Sequence, residues 1–265
     1  MKLALSGRLF ESRNGYAMDL DAFLRYARAT GWDGVEIRYP QLPVETPIER
    51  QDAVRKLLDE LGLTWVFGAV EGIVDETAFA RSVRMLDLHD RVGCRFTRFT
   101  VFKPEHIAWA QRFAEEAARR NRKLIMQLHS GTLPNNVANA IETLRLIDRA
   151  NVGLAFDPCH LRFDGDEDHA AGVRALAGRI WGVSVQNFKF APLDTPKDAI
   201  VQINGQAYVR AMPGDPAGID FASEFAALRS IGFDGFATVM CDTPPGMAGR
   251  DLAGRYLTFL RPHAV

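Results

Sequence analysis

The sequence predicts an α/β fold, a single (β/α)8 TIM barrel spanning residues 1–265, and three observations predict it. A length of 265 residues is the size at which eight strand–helix units close around one core. Short apolar runs alternate with amphipathic windows along the whole chain, the pattern of a parallel sheet covered by helices. Four of the apolar runs also end in polar groups: Gln127-Leu128-His129, Asp157-Pro158-Cys159-His160, Gln186 and Met240-Cys241-Asp242. Polar side chains at the carboxyl ends of parallel strands are where such a barrel keeps its chemistry.

The elements follow in order. Residues 3–6 form the first strand. A helix over 19–30 carries Phe23, Tyr26 and Ala27 at the spacing of a buried stripe. The turn Gly31-Trp32-Asp33-Gly34 leads into a strand at 35–37. Helices over 48–61 and 76–92 each stop at a glycine, Gly62 and Gly93, the usual residue past a helix end. They precede strands at 63–67 and 95–101. Pro104 opens a helix that runs to 120, followed by a strand at 123–128, a helix at 136–150 and a strand at 152–156 that Pro158 is read as stopping. A helix over 167–176 and a strand over 180–185 come next. The long loop 187–218 has the length of a lid or ligand clamp. A helix at 220–230, a strand at 236–239 and a helix at 249–260 complete the chain. Gly232-Phe233-Asp234-Gly235 echoes the first helix-to-strand turn, and glycine there supplies the helix stop and a positive φ.

Composition narrows the function classes. Lys plus Arg is 32 and Asp plus Glu is 33, for a formal charge of −1. That balance argues against nucleic acid or an anionic membrane as partner. The apolar run at residues 1–7 is too short for a signal peptide, and 18 consecutive apolar residues occur nowhere. Cys94, Cys159 and Cys241 are too few and too scattered for a disulfide framework, so a reducing, cytoplasmic location is expected. Cys159 lies between Asp157 and His160 and can be read as a nucleophile, although a small buried residue is the commoner role. The segment 214–218 is glycine-rich but lacks the strand–turn–helix context of a phosphate loop.

Several of these pieces resemble the xylose-isomerase-like barrels: sugar-phosphate isomerases, ketose 3-epimerases and hydroxypyruvate isomerases. The resemblance covers nearly the whole length. It rests on Gly34-Val35-Glu36, Gln127-Leu128-His129, Asp157-Pro158-Cys159-His160, Gly182-Val183-Ser184-Val185-Gln186, the loop from Arg210 through Gly214 to Gly218-Ile219-Asp220-Phe221, and Gly232-Phe233-Asp234-Gly235. It implies a divalent cation held by a Glu ending the fifth strand, an Asp ending the sixth, a His or Gln on the seventh and a Glu ending the eighth. The two Glu are also the proton-transfer bases. Asp157 matches, and Gln186 matches the hydroxypyruvate-isomerase-like variant. Gln127 stands where the first Glu is expected and Met240 where the second is.

Those two departures decide the cofactor expectation. Hard cations select carboxylate oxygens, and a thioether is a soft ligand. The expectation is therefore no cofactor. If manganese or magnesium is retained, its ligands are Asp157, Gln186 and Gln127 with Asp242, which lies two residues past Met240 and on the same side of an extended strand. Neither Gln nor Met is a general base, so the proton must move through other groups. His129 is one candidate, since imidazole titrates near neutrality; a core or substrate-orienting histidine is the other reading. Glu36 is a base, a hydroxyl acceptor, or the ion-pair partner of Arg38. His160 resembles the family's substrate-contacting histidine. Lys189, Arg98 and Arg210 are cations able to stand in for the metal or grip an anion, or else solvated surface charges, the commoner role; the resemblance places an arginine that reaches the ligand near Arg210. Substrate contacts are thus expected from Asp157, His160, Gln186, Gln127, Lys189 and Arg210, with His129 and Glu36 as catalytic candidates.

The expected function is isomerase- or epimerase-like chemistry on a small carbohydrate, sugar acid or hydroxy-keto compound, in a chain able to form homo-oligomers. The alternatives are a metal-independent lyase or hydrolase in the same pocket, and a non-catalytic sugar-binding or partner subunit. The DNA-repair endonucleases of this barrel bind three metals through many His and acidic residues; with six His in all, the chain fits them poorly.

Overall fold

The computed structural model describes residues 1–12, 15–165 and 168–265. Its barrel strands are β1 (Lys2–Ser6), β2 (Gly34–Glu36), β3 (Thr64–Trp65 and Phe67–Ala69), β4 (Phe96–Arg98), β5 (Leu124–Gln127), β6 (Val152–Phe156), β7 (Ile180–Val185) and β8 (Phe236–Val239). All pair in parallel, and β8 pairs with β1. The first piece of β3 pairs with β2 and the second with β4. Val66 between them donates its N–H to Val35 O at 2.8 Å and accepts from Phe96 N at 3.1 Å. This one residue carries both neighbours across the break, so the sheet closes as the (β/α)8 barrel.

Helices α1 (Leu20–Thr30), α2 (Ile48–Leu61), α3 (Glu76–Val92), α4 (Ile107–Arg119), α5 (Val137–Ile147), α6 (Pro158–Phe163), α7 (His169–Ala175), α8 (Phe221–Ser230) and α9 (Gly249–Leu260) cover the sheet. Asp19, Asp75 and Asn136 accept the third backbone N–H of α1, α3 and α5, the usual N-cap device. The two echoed turns are left-handed at their first glycine, with φ of 95° at Gly31 and 73° at Gly232. Their second glycines answer to crowding instead. A Cβ on Gly34 would lie 2.7 Å from Thr64 O, and one on Gly235 would lie 2.6 Å from the Phe233 ring.

Two expectations change, and one cannot be compared. The chain after Pro158 is not a stop but the first turn of α6, with Asp157 as its N-cap, because proline at the first helical position loses no hydrogen bond. The expected helix start at Glu167 lies outside the described residues; α7 is described from His169. The loop at 187–218 contains a three-stranded antiparallel sheet, Phe188–Phe190, Val201–Ile203 and Gln206–Arg210. Its base is pinned by Asn187, whose backbone O accepts from Ala211 N at 3.0 Å. The Asn187 side chain donates to Met212 O and accepts from Ile219 N, both at 2.8 Å.

The barrel interior is filled by Ala4, Val66, Phe67, Phe96, Ile125, Ala155, Phe236 and Met240, with Trp181 packed against them. Trp181 stacks on Phe96 with ring centroids 5.9 Å apart. Side chains alternate faces along a strand, so residues two positions beyond Ala4, Phe96, Ile125 and Ala155 also point inward. Those residues are Ser6, Arg98, Gln127 and Asp157. The interior thus changes from apolar to polar within one layer, at the carboxyl ends of the strands.

Candidate active site

Asp157 is the hub of that polar layer. It is fully buried and its two oxygens have different duties. Oδ1 accepts from the backbone N–H groups of Cys159 and His160, each at 3.1 Å, and so caps α6. Oδ2 accepts from Gln127 Nε2 at 2.8 Å and Gln186 Nε2 at 3.1 Å. Burial pushes the carboxyl up to about 6, against the pull of these donors, which leaves it ionised at neutral pH. Three strands and one helix are tied together through this single carboxylate.

His129 and His160 face each other beside it, ring centroids 3.6 Å apart and planes inclined by 32°. Burial pulls both imidazoles down to about 4, and for His129 the neighbouring His160 lowers it further. Both rings are therefore neutral at pH 7. His129 Nδ1 lies 2.6 Å from Ser130 O; a carbonyl only accepts, so Nδ1 carries the proton and Nε2 keeps a lone pair. His160 Nδ1 accepts from Ser130 N at 3.3 Å, which places its proton on Nε2. One backbone segment thus sets opposite tautomers in two stacked rings, one an acceptor and one a donor.

The other side of the barrel mouth is ionic. Arg98 Nη1 donates to Gln127 Oε1 at 2.8 Å, and Nη2 lies 4.0 Å from Glu36 Oε1. The guanidinium sits over the Phe67 ring at 5.2 Å. Burial pulls Arg98 below the ordinary guanidinium value, with Glu36 opposing. Glu36 itself accepts from Ser6 and from Arg38 Nη1 at 3.3 Å. Asp242 binds Arg8 Nε at 2.6 Å and also Arg210. Burial alone would raise Asp242, but the two arginines hold it below the usual carboxylate value.

A cavity of about 370 Å3 opens over these groups. Gln127, His129, His160, Gln186, Arg210 and Asp242 all line it, together with Arg98 and Arg8. Three expected residues do not line it: Asp157, expected as a substrate contact, is fully buried behind Gln127 and Gln186, and Lys189 and Glu36 are engaged elsewhere. Lys189 is corrected as a substrate contact: Nζ is bound to Asp215 at 2.7 Å, so the inserted sheet spends that cation on its own loop. Glu36 is corrected as an open base. Its side chain is 1% exposed and its oxygens are taken by Ser6 and Arg38, the ion-pair arrangement. Arg8 was not singled out by the sequence because nothing local marks it; only closure of β8 against β1 brings it to Asp242.

The model of the xylose isomerase-like TIM barrel family matches residues 24–263. The chain belongs to that family. No curated protein matches it significantly. Among solved structures, it resembles the IOLI protein, crystallised with a bound zinc atom, at a TM-score of 0.77 and 17% identity over 100% of this chain and 98% of that one. It resembles an L-ribulose 3-epimerase at a TM-score of 0.75 and 17% identity, over 99% and 94%. It also resembles the probable 3-DHS dehydratase AsbF of Bacillus anthracis at 0.75 and 14%, over 98% and 99%. At these identities the likeness is one of fold.

The donor set does not fit a hard dication. Asp157 offers both oxygens to N–H donors already, and Gln127 and Gln186 turn their nitrogens, not their oxygens, toward it. Met240 contributes a thioether. Asp242, the expected fourth ligand, is corrected: its oxygens are held by Arg8 and Arg210. Among the described residues, no group of three or more His, Cys, Asp or Glu gathers. Likewise, among the described residues no helix is long and apolar enough to cross a membrane. Cys159 is fully buried, and burial pushes its thiol well above the ordinary value, the opposite of an activated nucleophile.

Proposed function

We propose that this chain is an enzyme of isomerase or epimerase type, moving a proton on a small carbohydrate-like compound with a hydroxyl next to a carbonyl. The observation that carries the reading is the stacked pair His129 and His160, set in opposite tautomers at the wall of the cavity. His129 Nε2 takes the proton from the carbon beside the carbonyl as a general base, and the resulting Nε2–H gives a proton back to carbon of the enediolate, which frees the base for the next turnover. His160 donates its Nε2–H to the oxygen on which negative charge develops. Asp157 touches no reacting atom in this scheme. It fixes α6, and with it His160, while drawing the amides of Gln127 and Gln186 into place.

The solved relatives named as epimerases act on sugars of this kind, which supports the substrate class. A base with a value near 4 is weak in water, so the scheme asks for an acidic C–H next to a polarised carbonyl. Uptake of deuterium from solvent into a panel of ketoses and keto or hydroxy acids tests the reading. Exchange that disappears in His129→Gln is expected. Absence of exchange across the panel removes proton transfer and leaves a binding protein.

A further inference from the structure

We infer that Arg98 anchors the ligand, and that the ligand carries a planar pair of negatively charged oxygens: the carboxylate of a sugar acid or small hydroxy acid. This rests on the proposed reading only in taking the same cavity as the site.

The argument begins with unspent donors. A guanidinium carries five N–H groups in a rigid plane. Among the described residues, Arg98 makes one hydrogen bond to oxygen, to Gln127 Oε1. The same Nη1 makes a long contact of 4.0 Å to Met240 Sδ, a weak acceptor, and Glu36 Oε1 at 4.0 Å from Nη2 lies beyond a hydrogen bond. The side chain is only 15% exposed, and the surface it keeps faces the cavity. No Arg98 nitrogen is among the buried side-chain atoms that lack a partner, so its remaining donors are open to the cavity, where an entering anion can meet them. The group is also held in position, with Gln127 at its tip, Phe67 beneath its plane and Glu36 to one side. A fork fixed in this way matches a carboxylate geometrically.

The charges around it agree. Arg8 and Arg210 line the same cavity and share the single carboxylate of Asp242. Asp157 lies behind the two amides that it accepts from, and Glu36 is shared with Arg38 and Ser6. Glu11 is spent on Arg38, and Asp164 on Ser130 and Asn135. With both histidines neutral, an anion entering the cavity meets cations first, and its neighbouring carboxylates are already bonded. A neutral sugar could also place hydroxyl oxygens on these donors, but only an anion adds a charge that the arginines of the wall attract.

Calorimetric titration in the presence of EDTA tests this with oxalate, inorganic phosphate and D-fructose as probes. Oxalate is expected to bind, with phosphate at least about tenfold weaker and D-fructose weaker still. Arg98→Lys keeps the buried charge but loses the fork, and is expected to weaken oxalate by about tenfold or more. In the wild-type protein, oxalate is expected to protect Arg98 from phenylglyoxal, read by peptide mass mapping with exposed arginines as controls. Equal oxalate affinity in Arg98→Lys, or an unprotected Arg98, overturns the inference. So does oxalate binding that needs added manganese, and tighter phosphate binding would reassign the oxyanion to a phosphate ester. Oxalate binding without deuterium exchange in any compound sinks proton transfer alone. Exchange on neutral ketoses without oxalate binding sinks the carboxylate alone.

Discussion

The barrel mouth has two halves built on opposite electrostatic plans. On the β5–β7 side, one buried carboxylate is satisfied by two backbone N–H groups and two amides, beside two neutral imidazoles. On the β1–β4 and β8 side, Arg8, Arg38, Arg98 and Arg210 alternate with Glu36 and Asp242. The neutral half holds a charge without a counter-ion, through dipoles that cannot leave. The ionic half holds charges against each other, half-exposed at its rim. Neutral dipoles fix tautomers and positions, whereas ion pairs supply field. The difference shows how one layer of a barrel can hold buried charge by two means, fixed dipoles on one side and opposed ions on the other.

The largest expected effect breaks the neutral half. His129→Gln is expected to lower solvent exchange into substrate by about 10²–10⁴-fold, the span of a general base, with Tm unchanged within a few degrees. Next is Asp157→Ala, which removes the cap of α6 and the acceptor of both amides. It is expected to lower stability by about 3 kcal/mol, read by urea denaturation, whereas Asp157→Asn retains a capping oxygen and loses less.

An acid titration sharpens the comparison. Burial holds His129 and His160 near 4 in the folded chain, against 6.5 for an imidazole in water. As pH falls, the unfolded chain takes up protons first, so their contribution is lost between about 6.5 and about 4. Asp157 works in the opposite sense. Raised from 3.8 to about 6, it takes up its proton first in the folded chain and adds stability over that interval. Two histidines against one carboxylate give a net loss, measured as a lower urea midpoint at pH 5 than at pH 7. His129→Gln is expected to reduce that pH dependence.

Smaller effects are expected from the ionic half. Chelation with EDTA or addition of manganese is expected to change exchange by less than about twofold, since the available ligands are amides, a thioether and occupied carboxylates. Asp242→Asn removes the partner of two half-exposed arginines and is expected to cost below about 1 kcal/mol, read by thermal unfolding.

Much of this was legible in the sequence, for physical reasons. Glycines at 31, 62 and 93 marked helix ends because each takes a left-handed conformation there. Asp157, Gln127, Gln186 and Met240 were legible as a layer because strand periodicity and strand ends are local properties. What was hidden depended on how far side chains reach. Glu36 as an ion-pair partner could be named but not chosen over Glu36 as a base, because the choice rests on Ser6 from the neighbouring strand. Lys189 looked available because its partner Asp215 lies 26 residues on, across a sheet whose strands are too short to show a clear alternation. The turn into α6 carried its own signal, aspartate followed by proline, which is a helix start as much as a strand stop.

The antiparallel insertion between β7 and α8 contributes Phe188, Val201, Ile203 and Arg210 to the cavity wall, yet it leaves and rejoins the barrel at one asparagine. Away from that asparagine it is tied to α6 by Arg162, which donates to Phe188 O and Ala217 O, and by Asn204, which donates to Phe163 O, and to the loop after β8 by Arg210 bound to Asp242. These anchors lie outside the eight barrel strands, so the insertion can reshape the cavity wall while the parallel register beneath it stays in place.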